Sequence, residues 1–116
     1  MFFDSIDFYN IDEKKKSIVS HRPFTQNMNR QLRDKLIIDW TYNSNTIEGN
    51  TLTLSETKVV LENGITIKRK PLKDHLEIIN HKESIECIEA LVRENARLTE
   101  CGIKAIHQLF LKEIDF

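Results

Sequence analysis

Only three glycines and two prolines punctuate the 116 residues of this chain. A fold of many strands needs frequent tight turns, and tight turns draw on those two residue types. Long segments fill the chain instead, with apolar residues recurring every three or four positions, the period of one helix face. The expected class is therefore all-α, a helical bundle. Hydrophobic residues at 40% and charged residues at 30% are the ordinary balance of a globular domain. A length of 116 residues supports one modest core.

Capping chemistry places the helices. Residues 1–10 read as a lead-in, and Ile11 to Ser20 as a short charged helix with Asp12 at its N-cap. Arg22-Pro23-Phe24 ends it, because proline lacks a donor and disfavours helix in the residue before it. Thr25 caps the next helix, expected over about 26–48, whose apolar row Met28, Leu32, Leu36, Trp40 and Ile47 reads as a buried stripe. Gly49 suits the left-handed position past its end. Thr53-Leu54-Ser55-Glu56 has the form of a capping box, and the short helix it opens stops at Asn63-Gly64. Pro71 stands near the start of the longest helix, with Leu72, Leu76, Ile79, Ile85, Ile88, Leu91 and Val92 as its core face. Thr99 caps the last helix, in which Ile103, Ile106, Phe110 and Ile114 recur. The division expected is residues 1–24 as lead-in and short helix, and 25–116 as the main domain.

Composition excludes several functions. The formal net charge of −1 creates no field favouring nucleic acid or an anionic membrane. No apolar run approaches the ~20 residues that span a bilayer, and the N-terminus is too acidic for a signal peptide. The expectation is a cytoplasmic protein with Cys87 and Cys101 as reduced core thiols. No phosphate-binding glycine loop and no nucleophile elbow occurs. His75 and His81 are six apart, a spacing that does not make a zinc pair on one helix face, so no metal site is expected. His107 reads as a partly buried core histidine. Lys68-Arg69-Lys70 with Lys73 forms a small basic patch, read as a solvated loop, with a phosphate or partner contact as the sharper alternative; a helical adaptor or nucleic-acid module resting on that patch is a third reading of the chain, disfavoured by the near-neutral charge.

One stretch breaks a local rule. In Ser44-Asn45-Thr46-Ile47-Glu48-Gly49-Asn50, a carboxylate sits at the carbonyl end of a predicted helix, which carries partial negative charge. Such conflicts gather where function demands them. Glu48 reads as a group held for a cation outside its own helix.

The run from Trp40 through Thr57 resembles the N-terminal part of Fic-domain proteins (the Fic/Fido family). Ser44 to Gly49 fits that family's inhibitory-helix pattern, Ser/Thr-x-x-x-Glu-Gly/Asn. Lys70-Pro71, Asp74 to His81, Leu98-Thr99 and Ile103 to Leu109 resemble its next two helices, so the likeness covers roughly residues 11 to 114. The resemblance implies AMP transfer from ATP to a hydroxyl of a target protein, with Mg²⁺ as cofactor. It also implies that Ser44, Glu48 and Gly49 are regulatory. Glu48 would pair with the second arginine of the family's catalytic loop, deny that arginine to the γ-phosphate, and be oriented by Ser44. The loop itself, His-Pro-Phe-x-Asp/Glu-Gly-Asn-Gly-Arg-x-x-Arg, is absent. His21-Arg22-Pro23-Phe24 has an inserted arginine and no Gly-Asn-Gly-Arg after it. The resemblance therefore implies an N-terminal regulatory portion, inactive alone, with no catalytic, cofactor-binding or metal residues of its own. The partners it implies are a catalytic part or another Fic protein, and a protein substrate. The alternative is a small antitoxin-like inhibitor acting on a Fic enzyme in trans. A portion of this kind is expected to leave Ile103, Phe110 and Ile114 uncovered or buried by self-association.

Overall fold

The computed structural model describes residues 8–114. Five helices and no strand occur among them: α1 (Tyr9–Ser20), α2 (Gln26–Ile47), α3 (Leu54–Asn63), α4 (Leu72–Arg93) and α5 (Glu100–Phe110). The all-α expectation holds. Most of the expected lead-in, and the C-terminal Asp115-Phe116, lie outside the described residues.

Two compact units divide the chain, one up to Leu32 and one from Arg33 onward. In the first, α1 begins two residues before its expected start. Phe8 occupies the cap position without a side-chain bond, so Asp12 is not the N-cap and lies in the first helical turn. An acidic side chain there complements the positive end of the helix. The α1 helix buries none of its residues. The Thr25 hydroxyl accepts the Met28 N–H at 3.1 Å, the expected cap of α2.

In the second unit α4 is the centre, and α3 and α5 both pack along it. The capping box of α3 is complete. Thr53 Oγ1 accepts the Glu56 N–H at 3.1 Å, and Glu56 accepts the Thr53 N–H at 2.9 Å. The Thr53 backbone bond, seconded by its hydroxyl and by Lys70, holds the Glu56 carboxyl below the usual range. Leu52, Val60 and Ile78 form the apolar cluster, with Leu61 and Ile67 against it.

The buried faces differ from those the apolar periodicity predicts. On α2 the expected stripe is exposed, with Trp40 at 52% and Ile47 at 81%, and Met28, Leu32 and Leu36 also open. The row that α2 buries is Ile37, Thr41 and Asn45. Two polar residues can take core positions because they are satisfied there: Asn45 donates to the Thr41 carbonyl at 2.8 Å, and the Thr41 hydroxyl bonds His81. On α4, Ile78 rather than Ile79 is buried, Leu72 and Val92 are exposed, and Asp74, His75, Asn80, His81 and Ser84 line the interior. Asn80 accounts for part of this, donating to the carbonyls of Phe110 and Lys112 at the end of α5. Ile103 is exposed as expected, but Phe110 and Ile114 are half-buried because the end of α5 is drawn onto α4. His107 and Cys101 are exposed rather than core, and Cys87 is half-buried; both thiols are free.

Thr57 is fully buried, and its hydroxyl has no partner among the described residues. An unsatisfied buried hydroxyl costs about 1–3 kcal/mol. Thr57→Val keeps the shape and removes the cost, so urea denaturation should find the variant more stable by about 1 kcal/mol. Ile78→Ala, at a site only 1% exposed, should lose about 2–5 kcal/mol in the same assay.

Candidate functional site

The end of α2 sets up the site. The Gly49 N–H bonds the Thr46 carbonyl at 3.0 Å and the Asn50 N–H bonds the Asn45 carbonyl at 2.9 Å, the two bonds of a Schellman motif. Gly49 takes φ +96°, where an L side chain is strained, so glycine is required at this position. Glu48 is thus the C-cap residue itself, one step past the helix end rather than on its last turn.

The chain beyond is tied to the start of α4. Asn50 donates to the Asp74 carbonyl at 3.0 Å and accepts the Leu52 N–H at 3.0 Å. Asp74 accepts both the N–H and the hydroxyl of Thr51. Lys70 Nζ donates to the Thr51 carbonyl at 2.7 Å and lies 3.5 Å from Glu56. Lys70 thus leaves the expected basic patch and serves as a loop anchor. Lys68 and Arg69 are exposed, and Arg69 takes a left-handed φ of 70°. His75 is a structural residue too: its Nε2 accepts the Ile67 N–H at 2.8 Å and its Nδ1 bonds the Pro71 carbonyl at 2.8 Å.

Glu48 stands against this background of satisfied groups. It is exposed, and no hydrogen bond or ion pair engages its carboxylate among the described residues. One electrostatic neighbour is the acidic Glu77. Burial pushes the Glu77 carboxyl up, and the charges of Asp74 and Glu48 add to that push against the opposing pull of Lys73. Glu48 thus lies within electrostatic reach of a second acidic side chain, on which Lys73 also acts. Ser44 is half-buried one turn earlier, and no hydrogen bond joins it to Glu48.

Among the described residues no group of three or more histidine, cysteine or acidic side chains stands close enough to grip a metal, and the sequence carries no string of the form His-Pro-Phe-x-Asp/Glu-Gly-Asn-Gly-Arg. A cleft of about 350 Å³ lies between α2, α3 and α4, floored by Ile37, Ile38 and Leu61. Both cations that line it are paired, Arg33 bidentate to Glu89 at 3.0 Å and Lys82 3.9 Å from Glu86. No described helix is long and apolar enough to cross a membrane.

Sequence reasoning missed Asp74, Asn50 and Thr51, which fix the loop after Glu48. The partners lie more than twenty positions apart, and no local pattern joins them.

No family model matches the chain, and no solved structure gives a significant match. Curated relatives do. A protein adenylyltransferase Fic of Nematostella vectensis is 29% identical over 102 residues, which is 87% of this chain and 24% of that protein. The Aedes aegypti protein of the same name is 29% identical over 113 residues, 97% of this chain and 22% of the relative. The Caenorhabditis elegans protein adenylyltransferase fic-1 is 26% identical over 98 residues, 83% of this chain and 19% of the relative. The chain thus spans no more than a quarter of the length of the relatives it matches. These matches, which run along most of its residues, relate the chain to the Fic family of protein adenylyltransferases.

Proposed function

We propose that this chain is the N-terminal regulatory portion of a Fic-type enzyme that transfers AMP from ATP to a protein hydroxyl, and that Glu48 is its inhibitory group. The observation that carries the reading is the state of Glu48. It is fixed in place by the Schellman turn and the Asp74 tie, yet it has no cation among the described residues. A carboxylate held this way, within reach of the acidic Glu77, is ready for a guanidinium supplied by another part of the protein or by another chain. Arginine suits it because its planar fork meets a carboxylate through two parallel bonds.

The consequence for catalysis is competition. An arginine held by Glu48 is withheld from the γ-phosphate of ATP, and the carboxylate repels that phosphate. In such an enzyme ATP, Mg²⁺ and the protein substrate would be held by the catalytic part that the resemblance implies. Gly49 contributes by ending the helix where the carboxylate is needed. Ser44 contributes its position on the preceding turn. The exposed apolar row of α2 supports the reading, since a second polypeptide surface would cover it.

In a polypeptide that carries this sequence together with a His-Pro-Phe catalytic loop, Glu48→Gly should raise AMP transfer about tenfold or more, the worth of one charge-assisted pair. Labelling of target protein from radioactive ATP measures it, and equal labelling by wild type and variant would refute the inhibitory role. The 116-residue chain by itself should transfer no label in the same assay.

A further inference from the structure

A groove crosses α2, α3 and α4 within the unit that begins at Arg33. Its larger part is the cleft of about 350 Å³ floored by Ile37, Ile38 and Leu61. A second cavity of about 230 Å³, lined by Val60 and Ile79, adjoins it. The two share Leu61, Lys82 and Glu86, so their apolar floors are continuous. Ile37 and Val60 are buried, Ile38 and Leu61 half-buried, and Ile79 open at 39%.

The charges along this groove do not balance. Four acids line it, Asp34, Glu62, Glu83 and Glu86, against two cations, Arg33 and Lys82. Both cations are engaged, Arg33 by Glu89 and Lys82 by Glu86. The Glu89 hydrogen bond raises the Arg33 pKa against the cost of burial, and the charges of Glu89, Glu86 and Asp34 add to it. Among the acids, Glu83 has Lys112 at 3.6 Å, and Asp34 reaches only the edge of Arg33 at 4.0 Å. Glu62 is exposed, and no hydrogen bond or ion pair engages its carboxylate among the described residues. The charge left over on the rim is negative.

We infer that this groove is a docking site for a polypeptide segment that sets aliphatic side chains beside lysine or arginine. The floor takes the aliphatic part, since removing both apolar surfaces from water is favourable in proportion to their area. Glu62 and Asp34 take the cation. An acidic segment is rejected, because it meets carboxylates and finds no free cation to receive it. A wholly apolar segment would cover the Glu62 carboxylate without pairing it, at a cost in desolvation. The site is separate from Glu48. Ile37 lies three turns before Glu48 on α2, roughly 16 Å along the helix axis, so docking here does not depend on the inhibitory reading.

Two synthetic helical peptides test this on the full 116-residue chain. Both repeat leucine at every third and fourth position; one carries lysine at the flanking positions and the other glutamate. Methyl NMR follows the titrations. The lysine peptide should shift the methyl signals of Ile37, Ile38, Leu61 and Ile79, and bind about tenfold or more tighter than the glutamate peptide. Its affinity should fall as salt is added. Glu62→Lys, a change on an exposed side chain, should weaken the lysine peptide about fivefold or more. Glu94→Lys, outside the groove, should leave it unchanged. Several results would overturn the proposal: silent methyl signals at those four residues, shifts centred on Met28, Leu32 and Leu36 instead, equal binding of the two peptides, or indifference to Glu62→Lys. Groove signals that move with chain concentration before any peptide is added would place a second copy there and overturn it too.

Discussion

The Asp74 carboxylate is the tie on which the candidate site depends. It sits in the first turn of α4, where the helix end favours negative charge, and it takes two hydrogen bonds from Thr51. Asn50 closes the same junction by donating to the Asp74 carbonyl. Bonds to a charged acceptor are worth about 1.5–3 kcal/mol, well above a neutral pair. Glu48 therefore projects from a Schellman turn whose following loop is fixed to α4. Without that tie the helix end would fray, as helix ends do.

The interior is built to an unusual balance for a small domain. Its apolar cluster is small, Leu52, Val60 and Ile78 with two flanking residues. Polar side chains occupy much of the rest: Thr41 with His81, Asn45 on the Thr41 carbonyl, Asn80 on the end of α5, Ser84 on the Asn80 carbonyl. Each is satisfied, so burial costs little and fixes the register of the helices. His81 extends this logic by serving α2, α4 and α5 with one ring.

Much of this was legible in the residues, and the reason differs by element. Thr25, Thr53 with Glu56, Thr99 and Gly49 act within four positions of themselves, so the cap geometry they specify is the geometry observed. Glu48 stood out as a candidate because it broke a local rule. The buried face of α2 was not visible, because periodicity counts only apolar side chains and this face is two-thirds polar: Ile37, Thr41, Asn45. The partner of Thr41 is His81 of α4, forty residues on, where pattern reasoning along one helix does not reach. The choice of Ile78 over Ile79 follows the same cause, since Asp74, His81 and Ser84 set which face of α4 turns inward.

The central claim is electrostatic: Glu48 is an open carboxylate held for an arginine that would otherwise bind nucleotide. A crystal structure of a nucleotide-free polypeptide containing this chain and a His-Pro-Phe catalytic loop tests it most directly. The account predicts both Glu48 oxygens at about 2.8 Å from the guanidinium of the loop's second arginine. A Glu48 side chain left in solvent, or bonded to a lysine of its own helices while that arginine stands free, would contradict it.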